Sequence, residues 1–300
     1  MKKIVLLGST GMVGSSVSRY FSSKNFKVIE VNKSGVPIVK QNSAIQFNAA
    51  TDSISQLLDK ITDSGITIVN CIGWVKQRIM ESDNESVSKA IYLNSIFPKR
   101  LLVEAEKRSI NIIQPGTDCV FKGRLGRYTE KSEKDALDIY GMTKILSEVE
   151  SINLLTIRTS IVGIEQSGHV GLLDWILGQK YQNKVNGFSN HYWNGVTSLH
   201  FAKVLFTIVS DLGFKPGVFH LIPKGQVSKY ELLQIICEKW DRKDIGVMSI
   251  EDLNFVNRTL ATQNGEYNDL LWAKSGHKNA PSIESMLEEY RVWSSEFDQK

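Results

Sequence analysis

Cysteine is scarce in this 300-residue chain, and the three that occur, Cys71, Cys119 and Cys237, are odd in number and far apart. That argues against a disulfide framework and suits a reducing compartment. Long hydrophobic runs are missing as well, since no apolar stretch reaches the ~20 residues that span a bilayer. The opening "MKKIVLLGSTGMVG" starts like a secretory leader, but its apolar run is only "IVLL" before glycines interrupt it. The chain is therefore expected to be cytoplasmic and to make no membrane contact. Nor does either sign of charge form a block: 36 basic and 32 acidic residues, formal net charge +4, are spread along the sequence. Without a basic tract to follow a phosphate backbone, nucleic acid is not an expected partner. His169, His191, His200, His220 and His277 show no metal-ligand spacing, so they are read as surface or core residues and no metal is expected. No internal repeat, Pro-rich linker or low-complexity tract is present.

What the chain does have is enough apolar material, 42% of its residues, for a large core. From residue 2 to about 160, short β-branched runs alternate with helical patterns. "KIVLLG", "FKVIEVN", "AIQFN", "TIVNCIG", "NIIQPGT" and "LLTIRTS" read as strands, with helices near 12–23, 53–63, 84–108 and 136–150. The runs are wholly apolar rather than alternating, as strands covered on both faces require. This is the pattern of a doubly wound, Rossmann-type parallel α/β sheet. Beyond 160 the rhythm is irregular: "VGLLDWILGQK", "SLHFAKVLFTIV", "SKYELLQIICEKW" and "SIESMLEEYRVW" look helical, with "GVFHLI" between them. The expected organisation is a dinucleotide-binding region over 1–160 and a smaller α/β substrate-binding region over 161–300, with a strand near 217–222 placed to rejoin the main sheet. A ligand cleft is expected between the two.

Three stretches carry chemistry. "GSTGMVG" places Gly8, Gly11 and Gly14 directly after the first strand and at the start of a helix. Glycine permits a tight turn and a close approach of backbone to a pyrophosphate, which then lies on the helix N-terminus. The second strand ends in Asn32, Lys33 and Ser34, where an NAD-specific site usually carries an acid for the ribose 2′-hydroxyl. A lysine and a hydroxyl accommodate a 2′-phosphate instead, so NADP(H) is expected over NAD(H). "DIYGMTK" sets Tyr140 and Lys144 one helical turn apart, a spacing that makes them neighbours whatever their purpose.

Taken together, "GSTGMVG", "NCIG" at 70–73 and "YGMTK" resemble the short-chain dehydrogenase/reductases of the extended type. More narrowly, "GTDCVFKG", "YTEKS", "YGMTK" and "IRTSIVG" look like the dTDP-4-dehydrorhamnose reductase branch, whose members reduce nucleotide-linked 4-keto-6-deoxy sugars. The resemblance is strong through residue 163 and looser beyond. It implies that Tyr140 protonates the substrate carbonyl as hydride arrives from the nicotinamide, that Lys144 stabilises the phenolate and holds the nicotinamide ribose, and that Thr117 fixes the substrate oxygen. A free tyrosine titrates near ~10, which is why a cation is needed beside it. The implied cofactor contacts are Gly8, Thr10, Gly11, Met12 and Val13 in the first loop, Asn32, Lys33 and Ser34 after the second strand, Asn48, and Cys71, Ile72 and Gly73 in the next loop, completed by Asn94, Tyr140 and Lys144. Pro98 has no N–H for the carbonyl of Asn94, and family members use an asparagine here to hold a water against the active-site lysine; a simple kink explains the same proline.

The substrate side is less defined. Trp74 and Trp193 are candidates to stack on a sugar face or, equally, to be core residues. Asp118 follows Thr117, and the planar fork of Arg258 suits a diphosphate. Two positions depart from the branch: Gly116 stands where serine is common, and Ile161 where rhamnose-forming members carry tryptophan, so the substrate pocket is expected to differ. A nucleotide-sugar substrate is the expected partner, and a homodimer is a compatible assembly. A nucleotide-sugar epimerase or dehydratase is one alternative, although dehydratases usually bear an acidic pair where "TDCVF" offers only Asp118. A non-catalytic NADP-binding regulatory subunit is the other.

Overall fold

Alternation along the first strand explains the layering of the molecule. In the computed structural model, which describes residues 3–61 and 65–298, β1 (Lys3–Leu7) is buried at every position. Successive side chains of a strand point to opposite faces. Ile4 and Leu6 accordingly enter one core with Val17, Phe21 and Phe201, while Val5 and Leu7 enter a second with Leu57, Phe97 and Leu101. Helices must therefore cover both faces, and they do.

The strands β1, β2 (Lys27–Asn32), β3 (Ser43–Gln46), β4 (Thr67–Asn70), β5 (Asn111–Pro115) and β6 (Leu154–Arg158) form one parallel sheet with the strand Gly217–His220. Its order is Gly217–His220, β6, β5, β4, β1, β2, β3, with Phe219 opposite Ile157 at the outer pairing. The order reverses between β1 and β4, which opens a crevice at the carboxyl ends of those strands. The first helices are α1 (Met12–Ser23), α2 (Ile54–Asp59), α3 (Asn84–Ile91), α4 (Phe97–Glu106) and α5 (Ile139–Ser147). Positions 62 and 63 of the helix expected over 53–63, and the chain ends 1–2 and 299–300, lie outside the described residues.

The helix expected over 84–108 is one rod with a widened turn at Tyr92–Ile96, where the Phe97 N–H reaches back five residues to the carbonyl of Tyr92. Pro98, directly after it, has no N–H to keep the ordinary register. A bulge rather than a sharp kink is the result. The helix α5 begins three residues later than its apolar pattern suggests because Asp138 caps it, accepting from the Gly141 N–H at 3.0 Å.

Beyond residue 160 follow α6 (Leu172–Leu177), α7 (Ser198–Thr207), α8 (Lys229–Lys239), α9 (Gly265–Lys274) and α10 (Ile283–Asp298). The sequence reading does not anticipate α9, whose apolar residues Leu270 and Leu271 point one to solvent and one to the core. Among the described residues three small sheets complete this part; in one, His191–Trp193 lies between Val227–Ser228 and Val256–Asn257. The larger hydrophobic core runs without a break from Ile4 to Tyr290. No helix among the described residues is long and apolar enough to cross a membrane.

A buried ion pair ties three elements together beneath the crevice. Arg158, ending β6, donates from Nε and Nη2 to both carboxylate oxygens of Glu148, just past α5, at 2.7 and 2.6 Å. The two side chains are only 3% and 2% exposed. The remaining face of the guanidinium meets His220 Nε2 at 3.1 Å and the ring of Phe121. Gly116 belongs to this arrangement, since a Cβ there would lie 2.7 Å from Arg158 Cγ. A side chain at Gly116 would therefore require Arg158 to shift. Removing one partner of a buried pair leaves an uncompensated charge, so Arg158→Met is expected to cost ~3–5 kcal/mol. The double change Arg158→Met with Glu148→Leu should restore most of that loss, as read from urea unfolding midpoints.

Candidate active site

The crevice is a cleft of about 500 Å³ whose walls come from both parts of the chain. Its floor begins at the first loop. Gly8 has φ +77°, and a Cβ on Gly14 would stand 2.1 Å from the carbonyl oxygen of Gly8. Only glycine at both places lets α1 sit directly on the loop. Gly11, the N-cap of α1, gives no side-chain cap, so the first-turn N–H groups lie open at a wall lined by Thr10, Gly11, Met12 and Val13. Uncapped N–H groups at the positive end of a helix are the donors a pyrophosphate requires, and the site fits such a group on that ground.

Cys71, Ile72 and Gly73 follow β4 along the same wall, with Asn94 behind them. The Asn94 carboxamide is occupied: Oδ1 accepts from Trp74 N at 2.7 Å, and Nδ2 donates to Trp74 O and to Thr143 Oγ1 at 3.0 and 3.1 Å. It clamps the loop after β4 onto α5. The widened turn above is what presents Asn94 to this loop.

Thr117, Tyr140 and Lys144 converge on the cleft from the end of β5 and from α5. Burial, the largest cause, raises the Tyr140 phenol well above its ordinary range, with Cys119 and the carboxylates of Asp118 and Asp138 adding to it and a hydrogen bond with Thr117 opposing it. Burial also lowers Lys144, against the pull of Glu148 one turn further on. Its ammonium donates to the Pro115 carbonyl at 3.1 Å. Both thiols in the wall, Cys71 and Cys119, are pushed up to about 12 by burial, so they are inert lining groups at neutral pH.

The lining also includes Trp74, Asp118, Trp193 and Arg258. Trp74 is half-buried, donates from its indole to Arg78 O at 3.1 Å and has Lys89 Nζ 3.7 Å from its ring centroid. Arg258 Nε donates to Phe121 O at 2.8 Å. Trp193 is 3% exposed and belongs to the main core, its indole donating to Ser160 Oγ at 2.8 Å. A wall residue held this way has no open ring face for a sugar.

The remaining expected cofactor residues lie outside the cleft lining. Gly8 supports it from below. Asn32 is buried and its amide is used in the turn: Nδ2 donates to Ser9 Oγ and Val36 O, and Oδ1 accepts from the N–H groups of Ser34 and Gly35 and from Ser34 Oγ. Lys33 is exposed. Asn48 caps the next turn, its N–H donating to Asp52 Oδ2 and its Oδ1 accepting from Ala50 N.

A family model described as the RmlD substrate binding domain matches residues 1–291. The chain belongs to that family. RmlD-type chains with solved structures share the fold: dTDP-4-dehydrorhamnose reductase from Clostridium acetobutylicum superposes with a TM-score of 0.74 at 18% identity, covering 98% of this chain and 99% of the other. The enzyme of the same name from Bacillus anthracis, solved in complex with NADP, gives 0.75 at 16% identity over 98% and 100%. Among curated proteins, the bovine (Bos taurus) methionine adenosyltransferase 2 subunit beta is 21% identical over 84% of this chain and 76% of its own length.

This RmlD-family cleft also contains groups that the sequence reading passes over. Lys229 lines it from the start of α8, its ammonium 5.5 Å from the Trp193 ring centroid. Burial lowers its pKa while Asp118 and Cys119 oppose that. The one local signal is the capping box Ser228 to Glu231, which marks a helix start but not what that start faces. Arg78 reaches across the mouth to Glu165 at 3.2 Å and to Ser167 O. Because Trp193 is core, Trp193→Ala is expected to destabilise the protein by ~3–5 kcal/mol. Trp193→Phe should recover most of it in denaturant unfolding, and a KM change in a stable, fully folded Trp193→Ala protein would contradict this placement.

Proposed function

We infer that the chain is an NADPH-dependent reductase of a nucleotide-linked 4-keto-6-deoxy sugar, supplying a deoxysugar for surface polysaccharide or glycoconjugate synthesis. The observation that carries the inference is the convergence of Thr117, Tyr140 and Lys144 on one cleft with the glycine loop and the uncapped end of α1. The names of the reductases with the same fold, one of them in complex with NADP, support it.

A bound nicotinamide cofactor supplies the hydride. The chain's own residues do the rest. The first-turn N–H groups of α1 hold the pyrophosphate, and Lys144 holds the ribose. Thr117 orients the substrate carbonyl, and Tyr140 carries a proton at its hydroxyl and delivers it to the carbonyl oxygen. A phenol raised by burial is protonated throughout the neutral range, which is the state a proton donor needs before transfer. Lys229 and Arg258 bring positive charge to the substrate side, suited to a diphosphate. The buried wall excludes water and strengthens each of these interactions.

Of Asn32, Lys33 and Ser34, Lys33 is the exposed cation and is assigned the 2′-phosphate. NADPH is expected to bind about tenfold or more tightly than NADH, from the ~1.5–3 kcal/mol of a charged hydrogen bond. Lys33→Ala should remove most of that difference in fluorescence titrations; equal affinities in the parent would sink the assignment.

Tyr140→Phe is expected to lower kcat by ~10²–10⁴, the usual share of general acid catalysis, while folding and NADPH binding persist. NADPH absorbance followed against a panel of nucleotide-linked 4-keto sugars provides the test. A second reading, a regulatory subunit that binds NADP without turnover, is favoured by the kinship to methionine adenosyltransferase 2 subunit beta. It takes precedence if parent and variant both bind NADPH and neither reduces any sugar in the panel.

A further inference from the structure

Outside the cleft, the fold brings together two histidines and a carboxylate that the sequence keeps far apart. We propose that His200, His277 and Glu289 bind one divalent transition-metal ion of the zinc class. His200 lies on α7, His277 in the turn between α9 and α10, and Glu289 on α10. One donor atom from each lies within 4.8 Å of the other two. None of the three lines the cleft.

Three observations support this. First, the spacing is close to what coordination needs. His200 Nε2 stands 2.9 Å and His277 Nε2 3.9 Å from the same carboxylate oxygen, Glu289 Oε2. Zinc bonds of ~2.0–2.1 Å in a tetrahedron put donors roughly 3.3 Å apart. The adjustment falls on His277, whose turn follows the left-handed Gly276 at φ +97°.

Second, the Nε2 atom of His277 is buried without a hydrogen-bond partner. A buried polar atom left unsatisfied is costly and calls for an explanation, and a metal ion supplies one. A hydrogen-bonded helix contact accounts for His200 and Glu289 but leaves this nitrogen idle.

Third, groups around the donors are placed to orient them. Thr197 Oγ1 lies 2.7 Å from His200 Nδ1; Nε2 donates to Glu289 Oε2 at 2.9 Å without an ion, and on binding one the proton would move to Nδ1, which donates to Thr197, freeing the Nε2 lone pair. Lys203 donates to Glu289 Oε1, keeping Oε2 as the coordinating oxygen. Partners of this kind fix the orientation of metal ligands. The charge on Lys203 works against a dication, so the donor chemistry and not the net field must hold the ion. Imidazole donors then select zinc or cobalt over magnesium or calcium.

Such an ion would staple α7 to α10, whose next residue, Tyr290, accepts from the Ile164 N–H at 2.8 Å beside the cleft wall. The test uses the full chain, stripped with a chelator and titrated with Zn²⁺ and with Co²⁺. Calorimetry should give one Zn²⁺ per chain, Co²⁺ should develop the visible absorption of a tetrahedral N/O site, and Mg²⁺ should do neither. A saturating excess of Zn²⁺ should raise Tm by several degrees.

His277→Ala, at the solvent edge, should lose at least about 100-fold in Zn²⁺ affinity, in line with removal of a ligand rather than an outer group. His277→Cys should retain binding, since thiolate also ligates zinc. Glu289→Gln, on a half-exposed residue, gives a second reading if the histidine variants fold poorly. Absence of stoichiometric Zn²⁺ binding, or unchanged affinity in both His277→Ala and Glu289→Gln, would overturn the proposal.

Discussion

The seating of α1 on the first loop is the constraint from which the rest of the molecule is laid out. With no side chain on Gly14, the helix comes down onto the Gly8 carbonyl, and its N-terminus is thereby fixed at the point where the strand order reverses. The same helix carries the second part of the chain. Ser16 shares a buried 2.7 Å hydrogen bond with Ser198 at the start of α7, and Ser198 in turn presses on Gly163, where a Cβ would lie 2.4 Å from Ser198 Oγ. Gly163 lines the cleft. One close contact near the N-terminus therefore sets the position of a wall built more than 150 residues later.

Electrostatics in the cleft follow from dryness. Burial drives the Tyr140 phenol and the two thiols toward their neutral forms and makes Lys144 and Lys229 easier to deprotonate. Charge is kept in place only where it has a partner. Glu148 is the group that connects these effects, since it closes the pair with Arg158 and also supports the ammonium of Lys144. The strand-end arginine and the cleft lysine Lys144 thus compete for the field of a single carboxylate.

The sheet was legible because its determinants are local. A wholly apolar run such as "KIVLL" states that both faces are covered, and "GSTGMVG" states what the turn after it must do. The cleft residues from Thr10 to Lys144 are legible for the same reason, sitting at strand ends and helix starts. What escaped is tertiary. Nothing near Gly116 announces that Arg158 fills the adjacent space. Nothing near Trp193 says which side of the wall its ring occupies, and His200 and His277 meet only because α7 and the turn before α10 pack together. The widened turn at Tyr92–Ile96 lay between these cases: Pro98 signals an interruption, but whether the helix breaks or bulges depends on Asn94 finding partners in the loop after β4.

The pairing of Gly217–His220 with β6 bears on how the molecule is made as well as on its final shape. During synthesis β6 is complete some sixty residues before the strand that flanks it exists. Until then its backbone groups form an open edge, and the apolar side chains Leu155 and Ile157 lack the α7 residues that share their core. Contacts between residues distant in sequence form late, because loop closure must precede them. An unpaired apolar edge held open meanwhile is a template for pairing with other chains. The vulnerable interval in the life of this protein is therefore a nascent chain that has finished β1 to β6 and is still waiting for the outermost strand.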